Sequence, residues 1–202
     1  MSDLSKSALL LIGYQNDYFA EDGILHSVIE ESAAVTGALA NTLNLLDQAG
    51  HEFGLVISTP IIFTENYEEL ADAVGILQTI KEVGAFKAGA TGSQTIPQLK
   101  KYETIIKEIP GKRGLNAFSN TDLEATLRSN GIEELVLAGA VTSVCIDSTG
   151  RHAADRGFNV SILSDCTSGR TTFEQEFYCD TIFPLYAKVI AHKALLEPAP
   201  VI

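Results

Sequence analysis

Apolar residues along the chain fall into two rhythms that take turns. The run ALLLIG at 8–13 is continuous rather than alternating, as expected of a strand buried on both faces. Between 29 and 49, Val35, Leu39, Leu43 and Leu46 recur at helical spacing, and Gly50 supplies a stop. EFGLVIS (52–58) predicts the next strand, broken by Pro60. An irregular stretch follows, with a helix near 73–83 and a glycine-rich segment, GAFKAGATGS, at 84–93. YETIIKEI (102–109) alternates as a strand does and stops at Pro110-Gly111. TDLEATLRSNG (121–131) predicts a short helix, with Thr121 and Glu124 at capping-box spacing and Gly131 past its end. The remaining pattern is strand 134–140, helix 143–156 closed by Gly157, strand 159–165, a helix near 172–182, and strand 187–191.

Repeated β–α alternation with continuous aliphatic strands predicts a three-layer α/β fold. Its sheet should be parallel, with helices on both faces. The pattern shows no linker, repeat or low-complexity tract, so 1–202 reads as one domain.

Composition narrows the function classes. A net charge of −12 argues against a nucleic-acid or anionic-membrane binder, both of which call for a basic surface. No apolar run approaches the roughly 20 residues of a membrane span. The N-terminal MSDLSKSALLLIGYQ lacks a basic segment followed by a cleavage site, so a cytoplasmic location is the expectation. Cys145, Cys166 and Cys179 form neither a C-x-x-C pair nor an even disulfide framework. With His26, His51, His152 and His192 scattered, no metal-ligand spacing appears, and neither metal nor cofactor is expected.

Two segments can carry chemistry. In LAGAVTSVCIDSTGRHAADRG (137–157) a strand ends near Gly139, a small-residue turn follows, and Cys145 lies in the first turn of the next helix. Backbone N–H groups and the positive end of the helix dipole there favour a thiolate, and the same N–H groups can receive an oxyanion. Core packing is the competing reading of this cysteine. In PGKRGLNAFSNTDL (110–123), Lys112 follows a strand end across Pro-Gly, where it could hold a thiolate or a carboxylate, or be a solvated loop cation. Arg113 beside it reads as surface. Cys166 and Cys179 read as structural and core, and Asp165 as a residue that organises a loop. His152 lies two helical turns beyond Cys145, about 10 Å along the axis, too far to be its base.

Together with LLLIGYQNDYF (9–19), these segments resemble the three signature stretches of the isochorismatase-like cysteine hydrolases, a group that includes nicotinamidases, carbamoylsarcosine and ureidoacrylate amidohydrolases and isochorismatases. The resemblance covers nearly the whole chain in order and spacing. It implies a three-layer, doubly wound, mostly parallel, Rossmann-like α/β fold, hydrolysis of a small amide or related C–N bond through a Cys thioester, and an Asp–Lys–Cys triad. It carries the nucleophile to Cys145 and the lysine to Lys112. It also places a cis peptide at Val141–Thr142, with Val141, Thr142 and the Cys145 amide forming an oxyanion hole. A homo-oligomer, dimer or tetramer, and a small-molecule substrate or ligand are implied as well.

The third triad member is where the chain departs. The family string reads D-x-Q-N-D-F; here Gln15 matches, and two residues before it stands Gly13. Asp17 matches the second acid, whose role looks structural. Losing a positioned acid–base group typically removes about 10²–10⁴ in rate. Asp17, Glu21, Glu65 or His26 could stand in. Alternatively, hydrolysis is impaired or lost and a binding or oligomeric structural protein remains, or Gly13 is an introduced change. STPIIFTENYEEL (58–70) has no histidine where nicotinamidases carry a metal-binding pair, which disfavours that activity. Tyr18, Phe19, Phe63 and Phe118 suggest aromatic walls for a substrate pocket, although core packing explains them equally.

Overall fold

The structure, a computed structural model, describes residues 3–197. Six strands form one sheet: β1 (Ser7–Ile12), β2 (Leu55–Thr59), β3 (Ile106–Glu108), β4 (Glu134–Ala140), β5 (Asn159–Ser168) and β6 (Lys188–Ile190). Every pairing is parallel, in the order β3-β2-β1-β4-β5-β6. Among the described residues the α-helices are α1 (Asn16–Phe19), α2 (His26–Thr36), α3 (Ala38–Ala49), α4 (Ile76–Val83), α5 (Leu123–Ser129), α6 (Asp147–Asp155), α7 (Thr172–Phe177) and α8 (Lys193–Leu196).

The continuous aliphatic runs have the cause expected of them. In β1 all six residues are buried. Ala8, Leu10 and Ile12 join Leu135, Leu137 and Cys145 in one core, and Leu9 and Leu11 join Leu45, Leu46, Val136 and Ala138 in the other. Period-two alternation thus feeds two cores on opposite faces of the sheet. A third cluster, with Tyr18, Phe63, Ile80, Phe86 and Ala140, lies beyond the strand ends.

The chain winds from β1 outward to β3, then returns to β4 and winds the other way. The reversal opens a crevice between the carboxyl ends of β1 and β4, where open α/β sheets place ligands. Gly139 lets these two strands close up: at φ +124°, a Cβ there would lie 1.8 Å from the Ile12 carbonyl oxygen.

Several boundaries differ from the sequence pattern for local reasons. The helix expected over 29–49 is two helices, because Gly37 turns left-handed at φ 65° and ends α2. Val35 is therefore exposed, off the face that Leu46 buries. The strand expected over 102–109 shrinks to an edge strand of three residues, since Pro97–Tyr102 forms a 3₁₀ turn. The Thr121–Glu124 capping box does not form: the Thr121 hydroxyl donates to the Ala117 carbonyl at 2.6 Å, and Asp122 precedes α5 without a side-chain cap. β5 continues to Ser168, past Asp165, and the helix near 172–182 is α7 followed by a π-helical turn. Among the described residues no helix is long and apolar enough to cross a membrane.

Candidate active site

The loops that follow β1, β3 and β4 meet at the crevice. β4 ends at Ala140, and residues Thr142–Ile146 make one π-helical turn that leads into α6. Such turns interrupt helices most often at functional sites. Cys145 sits in this turn, 7% exposed. The turn is pinned from both sides. The Val141 carbonyl accepts from the Val144 and Ile146 amides at 3.0 and 3.2 Å. The Thr142 hydroxyl donates to Gln175 Oε1 at 2.5 Å, and Ser143 Oγ donates to Glu174 Oε1 at 2.6 Å.

The cis peptide implied at Val141–Thr142 lies one bond earlier, at Ala140–Val141, which joins the end of β4 to the turn. Thr142 and Cys145 lie within that turn, and Val141 caps its start.

Lys112 reaches the same spot from beyond β3, where its backbone pairs with Ile61. It is 1% exposed, so the solvated-cation reading does not hold. Its Nζ donates to the Gly114 carbonyl at 2.6 Å and to Cys145 Sγ at 3.5 Å. A buried ammonium is costly without a counter-charge, and among the described residues Lys112 makes no ion pair with a carboxylate. The sulfur is the group able to supply that charge. Arg113, next in the chain, turns outward to pair with Glu69.

A cavity of about 10 Å³ adjoins the pair. Its floor is Ile12, Gly13 and Ala140 at the strand ends; its walls are Tyr18, Ile61, Leu115 and Val144; its roof is Ile76, Leu77 and Ile80 of α4. That volume holds about one water molecule. Of the four aromatic candidates only Tyr18 lines it. Phe19 stacks on Tyr14 at 4.8 Å, Phe63 packs by Tyr67, and Phe118 lies over His152. These three rings pack against neighbouring rings, so they are not walls of this cavity.

Gly13, where the resemblance implies an aspartate, has a backbone that itself opposes a side chain. Its φ is +75°, and a Cβ there would stand 2.8 Å from the Ala140 carbonyl oxygen. The backbone of β1 therefore runs closer to β4 than a side chain at 13 permits.

None of the proposed stand-in acids lines the cavity. Asp17 is buried and accepts from the Phe86 amide at 2.6 Å. Burial raises its carboxyl above the usual range, against the lowering by the Phe86 and Ile24 amides. Glu21 and Glu65 are exposed. His26 Nδ1 contacts the Tyr18 carbonyl at 3.0 Å. Gln15 is structural as well, bonding Ile61 through both ends of its amide and also donating to the Ser93 carbonyl.

The other cysteines stand elsewhere. Burial pushes the Cys179 thiol up to about 12 and raises Cys166 further. Cys166, Asp165 and His192 form the one cluster among the described residues whose ligand atoms lie close enough to share a metal, within 4.8 Å. Its donors are already engaged: His192 Nδ1 and backbone N meet the Asp165 carboxylate at 2.7 and 2.8 Å, and Nε2 meets Asn44 Oδ1 at 3.1 Å.

The α4 roof and the α7 braces are the parts the sequence reading did not place. Ile76, Leu77 and Ile80 form an apolar stripe between Gly75 and Gly84, so the roof had a signal. Gln175 meets Thr142 across 33 residues of chain, a contact no periodicity announces.

A family model for the isochorismatase domain matches residues 7–194. The chain is 26% identical to nicotinamidase 3 of Arabidopsis thaliana, over 89% of this chain and 80% of that protein. It is 27% identical to the ureidoacrylate amidohydrolase RutB of Variovorax paradoxus (strain S110), over 81% and 69%. An isochorismatase family protein from Desulfovibrio vulgaris subsp. vulgaris str. Hildenborough shares the fold with a TM-score of 0.78, at 21% identity over 94% of this chain and 96% of that one.

Proposed function

The chain belongs to the isochorismatase domain family, and from that premise we propose that it is a cysteine hydrolase acting on a small amide or related C–N bond. Cys145 is the nucleophile and Lys112 its electrostatic partner. The observation that carries this reading is the Lys112 Nζ–Cys145 Sγ contact of 3.5 Å, with the lysine buried and, among the described residues, no carboxylate paired to it. A cation held at this range stabilises a thiolate. The sulfur attacks a carbonyl carbon and forms a thioester, and water then releases the acid. The Val141–Cys145 turn supplies backbone N–H groups to the developing oxyanion.

The acyl group enters when α4 moves aside, because about 10 Å³ admits no organic substrate. Gly75 and Gly84 bracket α4 with φ of 60° and 78° and are the natural pivots. The substrate's acyl side meets an apolar wall of Ile61, Leu77, Ile80 and Leu115, which favours an uncharged group there.

A second reading, a relative that binds small molecules without turnover, is favoured by the missing carboxylate. Incubation with p-nitrophenyl acetate separates the two. The hydrolase reading expects release of p-nitrophenol over many turnovers, an acetyl group trapped on Cys145 by rapid acid quench, and loss of both in Cys145→Ala. No acylation of Cys145 would leave the binding protein.

A further inference from the structure

If Cys145 attacks an amide, the departing nitrogen needs a proton, and the aspartate of the family string is absent at Gly13. The cavity wall contains three side chains with a transferable proton: Cys145, Lys112 and Tyr18. Tyr18 is the one the mechanism has not used. It is 3% exposed, yet among the described residues its hydroxyl makes no hydrogen bond. It is not a sealed unsatisfied group, since Thr59 Oγ1 is the one such atom among the described residues; the phenol oxygen keeps some accessible surface.

The ring is held in place. It packs on Phe86 with centroids 5.1 Å apart, and its backbone N–H donates to the Gln15 carbonyl at 3.1 Å. It also abuts the altered position, since a Cβ at Gly13 would lie 3.5 Å from Tyr18 Cδ2. In the string D-x-Q-N-D-F, Tyr18 stands at the phenylalanine. Tyr18, with a hydroxyl where the string has none, therefore lines the same cavity as Gly13 in a chain that lacks the acid there.

We propose that the Tyr18 hydroxyl is the proton donor to the leaving group, in place of a carboxylate at position 13. The proposal rests on the hydrolase reading above. The step balances within the site. Cys145 Sγ, its proton resting on Lys112, bonds to the carbonyl carbon. As the C–N bond breaks, the nitrogen takes the Tyr18 proton, and the phenolate is reprotonated by the Lys112 ammonium. Water then adds to the thioester and gives a proton to the Lys112 amine. Cleavage of the C–S bond releases the carboxylic acid and restores the thiolate. Burial, then the charges of Cys145 and Asp17, push the phenol up, so Tyr18 holds its proton until a stronger base forms beside it.

The test compares wild type and Tyr18→Phe on two acetyl donors, p-nitrophenyl acetate and 4-nitroacetanilide. Nitrophenolate leaves without a proton; the anilide nitrogen does not. The expected result is a loss of about 10²-fold or more in kcat/KM on the anilide, with the ester reduced by less than about tenfold and Tm little changed. Equal losses on both donors would make Tyr18 structural and overturn the proposal, as would no loss on either. Wild-type turnover of the ester but not the anilide would also overturn it, leaving the nucleophile intact. Absence of any Cys145 acylation would instead bring down the hydrolase reading, and the proposal with it.

Discussion

Two cysteines lie toward the carboxyl ends of neighbouring strands, on opposite faces of the sheet, and their surroundings are nearly inverse. Cys166 is flanked by a carboxylate and a histidine, the inventory usually sought around a nucleophile. Cys145 has neither; it has a buried lysine, an apolar cavity and a phenol. Yet in the first cluster the imidazole is spent on Asp165 and Asn44, and the sulfur is fully buried beside a negative charge. Desolvation and that charge hold Cys166 as a thiol. In the second, a cation is the sulfur's nearest charged neighbour and a cavity adjoins it. On the reading proposed for Cys145, the charge of the neighbour and the space beside the sulfur set reactivity, and the count of catalytic residue types does not.

The largest effect should separate the two cysteines outright. Cys166→Ala is expected to leave hydrolysis of p-nitrophenyl acetate within about twofold of wild type, where Cys145→Ala falls to background. Comparable losses would dissolve the distinction. Next in size is Gly13→Asp, the change that would seem to complete the triad. A left-handed backbone at a non-glycine residue costs roughly 1–2 kcal/mol, and the Ala140 carbonyl must also give way. The expected outcome is a lower Tm and no gain in turnover. A rise in turnover at unchanged Tm would show that the β1–β4 approach is looser than this geometry.

The smallest effect is an alkaline one. Tyr14 and Tyr18 have phenols raised above their ordinary value of 10.0, chiefly by burial. The unfolded chain therefore gives up these protons first, so their stabilising contribution is complete below about pH 10 and declines as pH climbs above it. Tyr18→Phe should soften that decline in urea titrations at successive pH values. An unchanged alkaline limb would argue that Tyr18 is wetter than its 3% exposure.

Much of this was legible in the residues. The aliphatic runs announced β1, β4 and β5 because their side chains feed a core on each face, which removes alternation. Lys112 and Cys145 stand out as candidates by their places just past strand ends, and the family resemblance, not that placement, implies their roles. What stayed hidden depends on contacts between distant segments. Gly13 read as an acid position without its acid, whereas its conformation answers to Ala140 on another strand. Phe19, Phe63 and Phe118 read as pocket walls because aromatic residues near a site look alike until their stacking partners are known. Lys112 is buried where its backbone pairs with Ile61 and its Nζ meets Gly114 and Cys145, and no local pattern encodes the distant contacts with Ile61 and Cys145.

The central claim is that Lys112 activates Cys145, and the rate of Cys145 alkylation by iodoacetamide at neutral pH, in wild type and in Lys112→Met, tests it most directly. Methionine fills the buried stem without the charge, and Cys145 can then carry its own proton, so no buried charge is left unpaired and the variant is expected to fold; a Tm measured beside the alkylation rate checks that. The wild-type thiol should react faster than cysteine in an unstructured peptide, and the variant should lose that advantage. A wild-type rate no faster than the peptide's, or one that Lys112→Met leaves unchanged, would contradict the account.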